Sequence, residues 1–192
     1  ATRAHPPKAD VKGRLKAFIE DIVMQKAKLI IPAFSVGRTQ QLVYFLNELY
    51  HEKRIPPVPV YVDSPLSTKA TDVYIKHKDC YDEDAFNHVI EGDKPFEFRG
   101  LRYLADVEDS KALNELDGPA VIISASGMCE GGRILHHLKN NIEDPRTIIL
   151  IVGYQAEHTL GRRLVERVQP VRIFGEEYEL NARVHTINAL SA

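Results

Sequence analysis

The sequence predicts an α/β domain built on a doubly wound, mainly parallel sheet with helices on both faces. Two observations carry this. Short apolar runs alternate strictly with stretches of helical periodicity. Four of those runs, within 30–38, 60–67, 121–128 and 149–155, end in a loop of Ser, Gly, Arg or Gln that opens into a helix-like stretch. Parallel strands place their carboxyl ends on one edge, so the four loops gather where open α/β sheets bind ligands. Free backbone N–H groups and helix N-termini there suit an anion, above all phosphate.

Each element has its own signal. Val11, Leu15, Phe18, Ile19, Ile22 and Val23 recur at helical spacing up to Lys26, and residues 29–33 form a short buried strand. Leu42, Val43, Phe45, Leu46 and Leu49 mark the core face of a helix over 37–52. Pro56, Pro57 and Pro59 punctuate the chain before a strand at 60–62, and Pro65 suits a first helical position capped by Ser64 or Asp63. The polar stretch 76–94 reads as short helices. Phe96, Phe98, Leu101, Tyr103 and Leu104 suggest a small edge strand or hairpin around Gly100. A brief helix over 107–116 stops at Gly118-Pro119. Strand 120–124, helix 131–138, strand 147–152 and helix 159–168 then alternate. A terminal strand pair, 171–174 with 178–187, turns at Gly175-Glu176; Tyr178, Leu180, Ala182, Val184 and Thr186 alternate with polar residues, the pattern of a half-buried strand.

The 192 residues suit one well-cored domain, taken as 1–192. A formal net charge of −2 creates no global basic field, so polyanion binding needs a local patch. Cys80 and Cys129 lack CxxC spacing and point to a reducing compartment rather than a disulfide framework. No apolar run approaches the ~20 residues of a bilayer span, and the polar first ten residues are unlike a secretory signal. These features imply a cytoplasmic protein without membrane contact. Both ends read as cut: Ala1 replaces an initiator methionine, and 189–192 follow a strand-like run directly. A face shaped for a partner domain would then be exposed and favour self-association, with a homodimer as the simplest form.

Three loops carry the chemistry. In Phe34-Ser35-Val36-Gly37-Arg38, Gly37 closes the turn, Ser35 or Thr39 caps the helix, and Arg38 lies in the first helical turn, where a cation opposes the macrodipole. That mismatch suggests a bidentate phosphate contact against the blander reading of a solvated arginine. The loop from Ser124 to Arg133 carries Ser126, Gly127, Gly131 and Gly132, small residues that permit close backbone approach. It is neither a P-loop nor GxSxG, so a nucleophilic serine has little support; Cys129 reads as a small loop-filling thiol. In the loop from Gly153 to Arg163, Tyr154 and Gln155 are positioned to stack on or hydrogen-bond a base, or Tyr154 packs beneath the loop. His136 and His137 point about 100° apart on a helix and cannot chelate together. The other histidines lack ligand spacing. Asp63 is a candidate general base, with a capping role for the Ser64-Pro65 turn favoured. No catalytic constellation emerges.

The ordered series Phe34-Ser35-Val36-Gly37-Arg38, Asp63-Ser64-Pro65-Leu66-Ser67, Ser124-Ala125-Ser126-Gly127-Met128, Gly132-Arg133 and Gly153-Tyr154-Gln155 through Thr159-Leu160-Gly161 resembles the β-CASP domain. That domain is inserted into metallo-β-lactamase-fold nucleases acting on RNA, among them the pre-mRNA 3′-end cleavage endonuclease and its bacterial and archaeal homologues. The resemblance covers nearly the whole chain. It implies a zinc-dependent ribonuclease whose two zinc ions sit in the metallo-β-lactamase domain of the same polypeptide, held by HxHxDH and further ligands outside this chain. The insert would act as a lid that grips RNA and be inactive alone. The family's acidic motif would fall just before Ala1, and its next motif histidine just after Leu190-Ser191-Ala192. The implied substrate- or phosphate-binding set is Ser35, Gly37, Arg38, Ser64, Ser124, Ser126, Gly127, Arg133, Gln155, Thr159 and Arg162. One departure stands out: family members commonly have glycine where His158 stands, so this loop is narrower here.

Two other readings compete. A non-catalytic β-CASP scaffold in an RNA-processing complex would usually lose Gly and Arg from these loops, which are intact here. An unrelated nucleotide-binding domain would need a GxGxxG fingerprint, which is missing.

Overall fold

The computed structural model describes residues 8–77 and 94–187. A six-stranded sheet in the order β3-β2-β4-β1-β5-β8 has every neighbouring pair parallel. Its strands are β1 (Lys28–Pro32), β2 (Val60–Asp63), β3 (Leu101–Leu104), β4 (Ala120–Ser124), β5 (Ile148–Ile151) and β8 (Arg183–Thr186). A separate antiparallel hairpin joins β6 (Val171–Ile173) to β7 (Glu176–Tyr178). The four central strands are buried throughout, as the unbroken apolar runs require when both faces are covered.

Among the described residues six α-helices cover the sheet: α1 (Lys8–Gln25), α2 (Arg38–His51), α3 (Pro65–Lys76), α4 (Val107–Ala112), α5 (Ile134–Asn141) and α6 (Leu160–Val165). On one face Leu29, Ile31, Val60, Val62, Val121, Ile123, Ile148 and Leu150 meet α1 and α2. On the other, Ile30, Ile149 and Ile151 meet α5, α6 and the hairpin, while Tyr61 and Ile122 meet Leu113 just beyond α4. Handedness explains this division. Connections heading toward β3 must lie on one face and those heading toward β8 on the other if every crossover is right-handed. The direction reverses between β1, whose helix leaves toward β2, and β5, whose helix leaves toward β8. Adjacent loops diverging in this way leave a crevice at the carboxyl edge of the sheet.

Local chemistry sets the helix starts. Ser64 accepts the backbone N–H of Ser67 at 3.1 Å, with Pro65 at the first helical position, so Ser64 and not Asp63 is the cap. Thr159 caps α6 by accepting the N–H of Arg162 at 3.2 Å. Helix α5 begins at Ile134, later than the glycines suggested, because Gly132 has φ +80° and a Cβ there would lie 2.5 Å from the Ala125 carbonyl oxygen.

The terminal strand pair needs correction. The hairpin is β6 with β7 alone, and 178–187 is not one strand. The N–H groups of Asn181 and Ala182 donate to the Ile142 carbonyl, which breaks the run and sends 183–186 into the main sheet beside β5. The alternation survives because Leu180, Ala182 and Val184 all reach the same core. The edge element around Gly100 is the parallel strand β3 rather than a hairpin. The short helices expected over 76–94 fall almost wholly outside the described residues.

Ile31, on the central strand and fully buried beneath α1 and α2, tests the packing. Ile31→Ala is expected to lower unfolding free energy by about 2–5 kcal/mol in urea titration.

Candidate functional site

The loop after β1 runs Phe34-Ser35-Val36-Gly37 into α2. Gly37 adopts φ +80°, and no side chain caps the helix. The backbone N–H groups of Ser35, Val36 and Gly37 donate to no acceptor among the described residues. Nor do those of Gly153 and Tyr154 in the loop after β5. The two loops face each other across the crevice, where a Cβ on Gly153 would lie 3.9 Å from Arg38 Nη2.

Arg38 is half-buried, and burial pushes its guanidinium pKa down. Its one side-chain hydrogen bond is long, 3.4 Å to Gln41 Oε1, and no carboxylate among the described residues pairs with it. A partly desolvated cation at a helix N-terminus, beside unsatisfied N–H donors, is electrostatically incomplete until an anion arrives. Phe34, Val36 and Tyr154 stand exposed on the strand-end loops of this same edge, Tyr154 at 73%, and Leu66 stands exposed in the first turn of α3. Tyr154 is therefore displayed rather than packed beneath its loop.

The other expected contacts separate into two groups. Ser35 remains at the surface, half-buried, with its Oγ 3.3 Å from Ser64 Oγ. Ser126 and Thr159 are half-buried, though each hydroxyl serves its own turn: Ser126 Oγ accepts from Glu130 N–H, and Thr159 Oγ1 donates to Ala156. Arg162 is drawn aside by Glu166, 2.6 Å away, on the surface of α6. Ser64 is buried in its cap. Ser124 is buried and donates to the Asp63 carbonyl at 2.9 Å. Gly127 is buried because a Cβ there would press on the Phe34 ring at 2.9 Å. Gln155 is buried, with Nε2 donating to the carbonyls of Gly127 and Tyr154, and it holds two of the loops together.

Arg133 has the most internal partners of the expected contacts. Its Nη1 donates to Asp63 Oδ1 at 2.7 Å and to the Leu104 carbonyl at 3.2 Å, and its Nη2 to the Ala105 carbonyl at 2.6 Å. These inward bonds turn it away from an external phosphate. Asp63, fully buried at the end of β2, also accepts from Ser110 Oγ at 2.5 Å and lies 2.6 Å from His137 Nε2. Burial alone would raise the Asp63 pKa; the bonds from His137, Ser110 and Arg133 outweigh it and hold the carboxyl below its usual range. The carboxylate thus ties β2, α4 and α5 together and fixes the strand ends beneath the loops.

This pair does not fit a divalent metal. One Asp63 oxygen is taken by a guanidinium and the other by Ser110 and His137, and no group of three or more His, Cys, Asp or Glu converges among the described residues. Cys129 is buried, and burial pushes its thiol up to about 12, as a loop-filling thiol requires. His158 has φ +68°, the left-handed region that favours glycine, which is the physical reason glycine suits that position.

Fold and edge together define an open parallel α/β domain with an anion-ready switch-point crevice. The chain belongs to the Beta-Casp domain family, whose model matches residues 39–164. It is 39% identical over 189 residues to "Ribonuclease TTHA0252" of Thermus thermophilus, covering 98% of this chain and 43% of that protein. It is 30% identical over 179 residues to an "RNase J-like protein" of Methanocaldococcus jannaschii, covering 93% and 40%. It is 29% identical over 192 residues to "Transcription termination factor FttA" of Methanococcus maripaludis, covering 97% and 30%. The chain thus spans less than half the length of these relatives.

Asp63→Asn removes the carboxylate from the half-buried Arg133 guanidinium and is expected to cost about 3 kcal/mol at neutral pH. Because the folded pKa is depressed, the stability from Asp63 is present above its unfolded value of about 3.9 and is lost as pH falls through the lower folded value. Denaturant melts from about pH 5 to pH 2 are therefore expected to show a steeper loss for the wild type than for Asp63→Asn.

Proposed function

We propose that this domain is the RNA-gripping lid of a ribonuclease, holding the phosphodiester backbone while a separate domain of the same polypeptide cleaves it. The observation that carries this reading is Arg38: a half-buried cation with no carboxylate partner among the described residues, set at the switch-point crevice among backbone donors that find no acceptor there. The names of two relatives, a ribonuclease and an RNase J-like protein, support RNA as the polyanion. Phosphate oxygens meet the guanidinium and the loop N–H groups, while exposed Tyr154 offers a ring for a base to stack on.

Zinc is the metal proposed for the catalytic domain, as a source of hydroxide nucleophile. Its ligands would lie outside this chain, and the chain alone is expected to be inactive. The lid packs against that metallo-β-lactamase domain. The apolar side chains exposed at the carboxyl edge support either that contact or a homodimer. A cytoplasmic location rests on the sequence reading above. The scaffold alternative is disfavoured because the Gly37 and Arg38 loop keeps its anion-binding geometry.

Fluorescence anisotropy with single-stranded RNA tests the grip. Binding is expected to weaken with salt, and Arg38→Gln to raise Kd about tenfold while flattening the salt slope by about 0.7. Unchanged binding removes Arg38 from the site. Chelator-sensitive cleavage by the purified chain contradicts the lid role.

A further inference from the structure

A second basic surface lies outside the crevice, around the free edge of β8. Helix α1 runs antiparallel to this strand, so Arg14, Phe18 and Asp21, on one helical face, line up along it. Asp21 pairs with Arg183 at 2.5 Å. The Phe18 and His185 rings touch at a tilt of 45°, with centroids 4.9 Å apart. Arg14 lies 6.0 Å from the Phe18 ring centre. From the opposite face Arg167 reaches around the edge, its Nη2 3.5 Å from the Val184 carbonyl.

The charge here is lopsided. Arg183, Arg14 and Arg167 act on His185 against Asp21 alone, and burial followed by these arginines lowers the His185 pKa. Asp21 is already engaged by Arg183, so Arg14 and Arg167 are left without a carboxylate among the described residues. In a chain of net charge −2 this concentration is local. Two arginines without a carboxylate match the first need of single-stranded nucleic acid, cations for the phosphates, while half-buried Phe18 and His185 form the floor between them.

The surface continues the crevice. Thr186 pairs with Ile151, and Gly153 follows two residues later, opposite Arg38. We propose that the β8 edge, through Arg14, Phe18, His185 and Arg167, is an accessory track that holds single-stranded RNA extending beyond the crevice. This rests on the RNA-gripping reading above. Short RNA fills the crevice alone; longer RNA reaches the track.

The test is anisotropy titration of the chain with single-stranded RNAs of about 5 and about 20 nucleotides, spanning the few nucleotides one site holds and several more, at two salt concentrations. For the longer RNA, Arg14→Gln/Arg167→Gln is expected to raise Kd about tenfold or more and to flatten the salt slope by about 1.4, from two phosphates at ~0.7 each. For the shorter RNA it leaves Kd unchanged. The Lys double variant retains the salt slope. Arg38→Gln weakens both RNAs. An unchanged Kd for the longer RNA, or equal losses for both, overturns the track while leaving the crevice standing. No binding of either RNA by the wild type overturns both.

Discussion

The carboxyl edge depends on a single buried carboxylate. Asp63 ends a strand enclosed on both sides, where an isolated charge would be costly. Arg133, His137 and Ser110 satisfy it from two helices on the same face of the sheet, and Arg133 extends the link to the carbonyls after β3. Removing the carboxylate would leave the half-buried Arg133 guanidinium with carbonyl partners alone. The cluster thus joins the end of β2 to α4 and α5, and Ser64, next in the chain, lies 3.3 Å by its Oγ from Ser35 Oγ in the β1 loop.

Topology then decides where ligand chemistry occurs. Reversal of direction between β1 and β5 opens the crevice, and the two loops flanking it carry the free N–H groups and Arg38. The remaining strand-end loops serve mainly as scaffold: Gly127 accommodates Phe34, Gln155 bolts the β4 and β5 loops together, and Gly161 gives room to Gln155. An arginine with a weak internal bond beside one with three strong bonds illustrates the division. Arg38 has no carboxylate partner among the described residues, and Arg133 already has one.

Much of the fold was legible because its signals are local. Unbroken runs such as Leu29-Ile30-Ile31 and Val121-Ile122-Ile123 mark strands covered on both faces, and Ser64-Pro65 marks a helix start. The misread features are those fixed at a distance. Residues 178–187 alternate equally well as a hairpin arm and as a parallel edge strand; the Ile142 carbonyl decides between them. The internal partner of Arg133 is likewise set at a distance, by Asp63, 70 residues away. The available clue was Asp63, a carboxylate at the end of an apolar strand that needed a buried cation. The β8 basic edge was equally hidden, because its residues come from three elements scattered along the chain.

The account holds that the switch-point crevice, rather than the domain surface at large, receives the RNA backbone. Backbone amide NMR mapping of the chain with a short single-stranded RNA tests this most directly. Shifts are expected to concentrate at Ser35, Val36, Gly37, Arg38, Gly153 and Tyr154, with Lys28, Ala120 and Thr147 on the opposite edge unmoved. Shifts centred on that opposite edge, or none at saturating RNA, would contradict it.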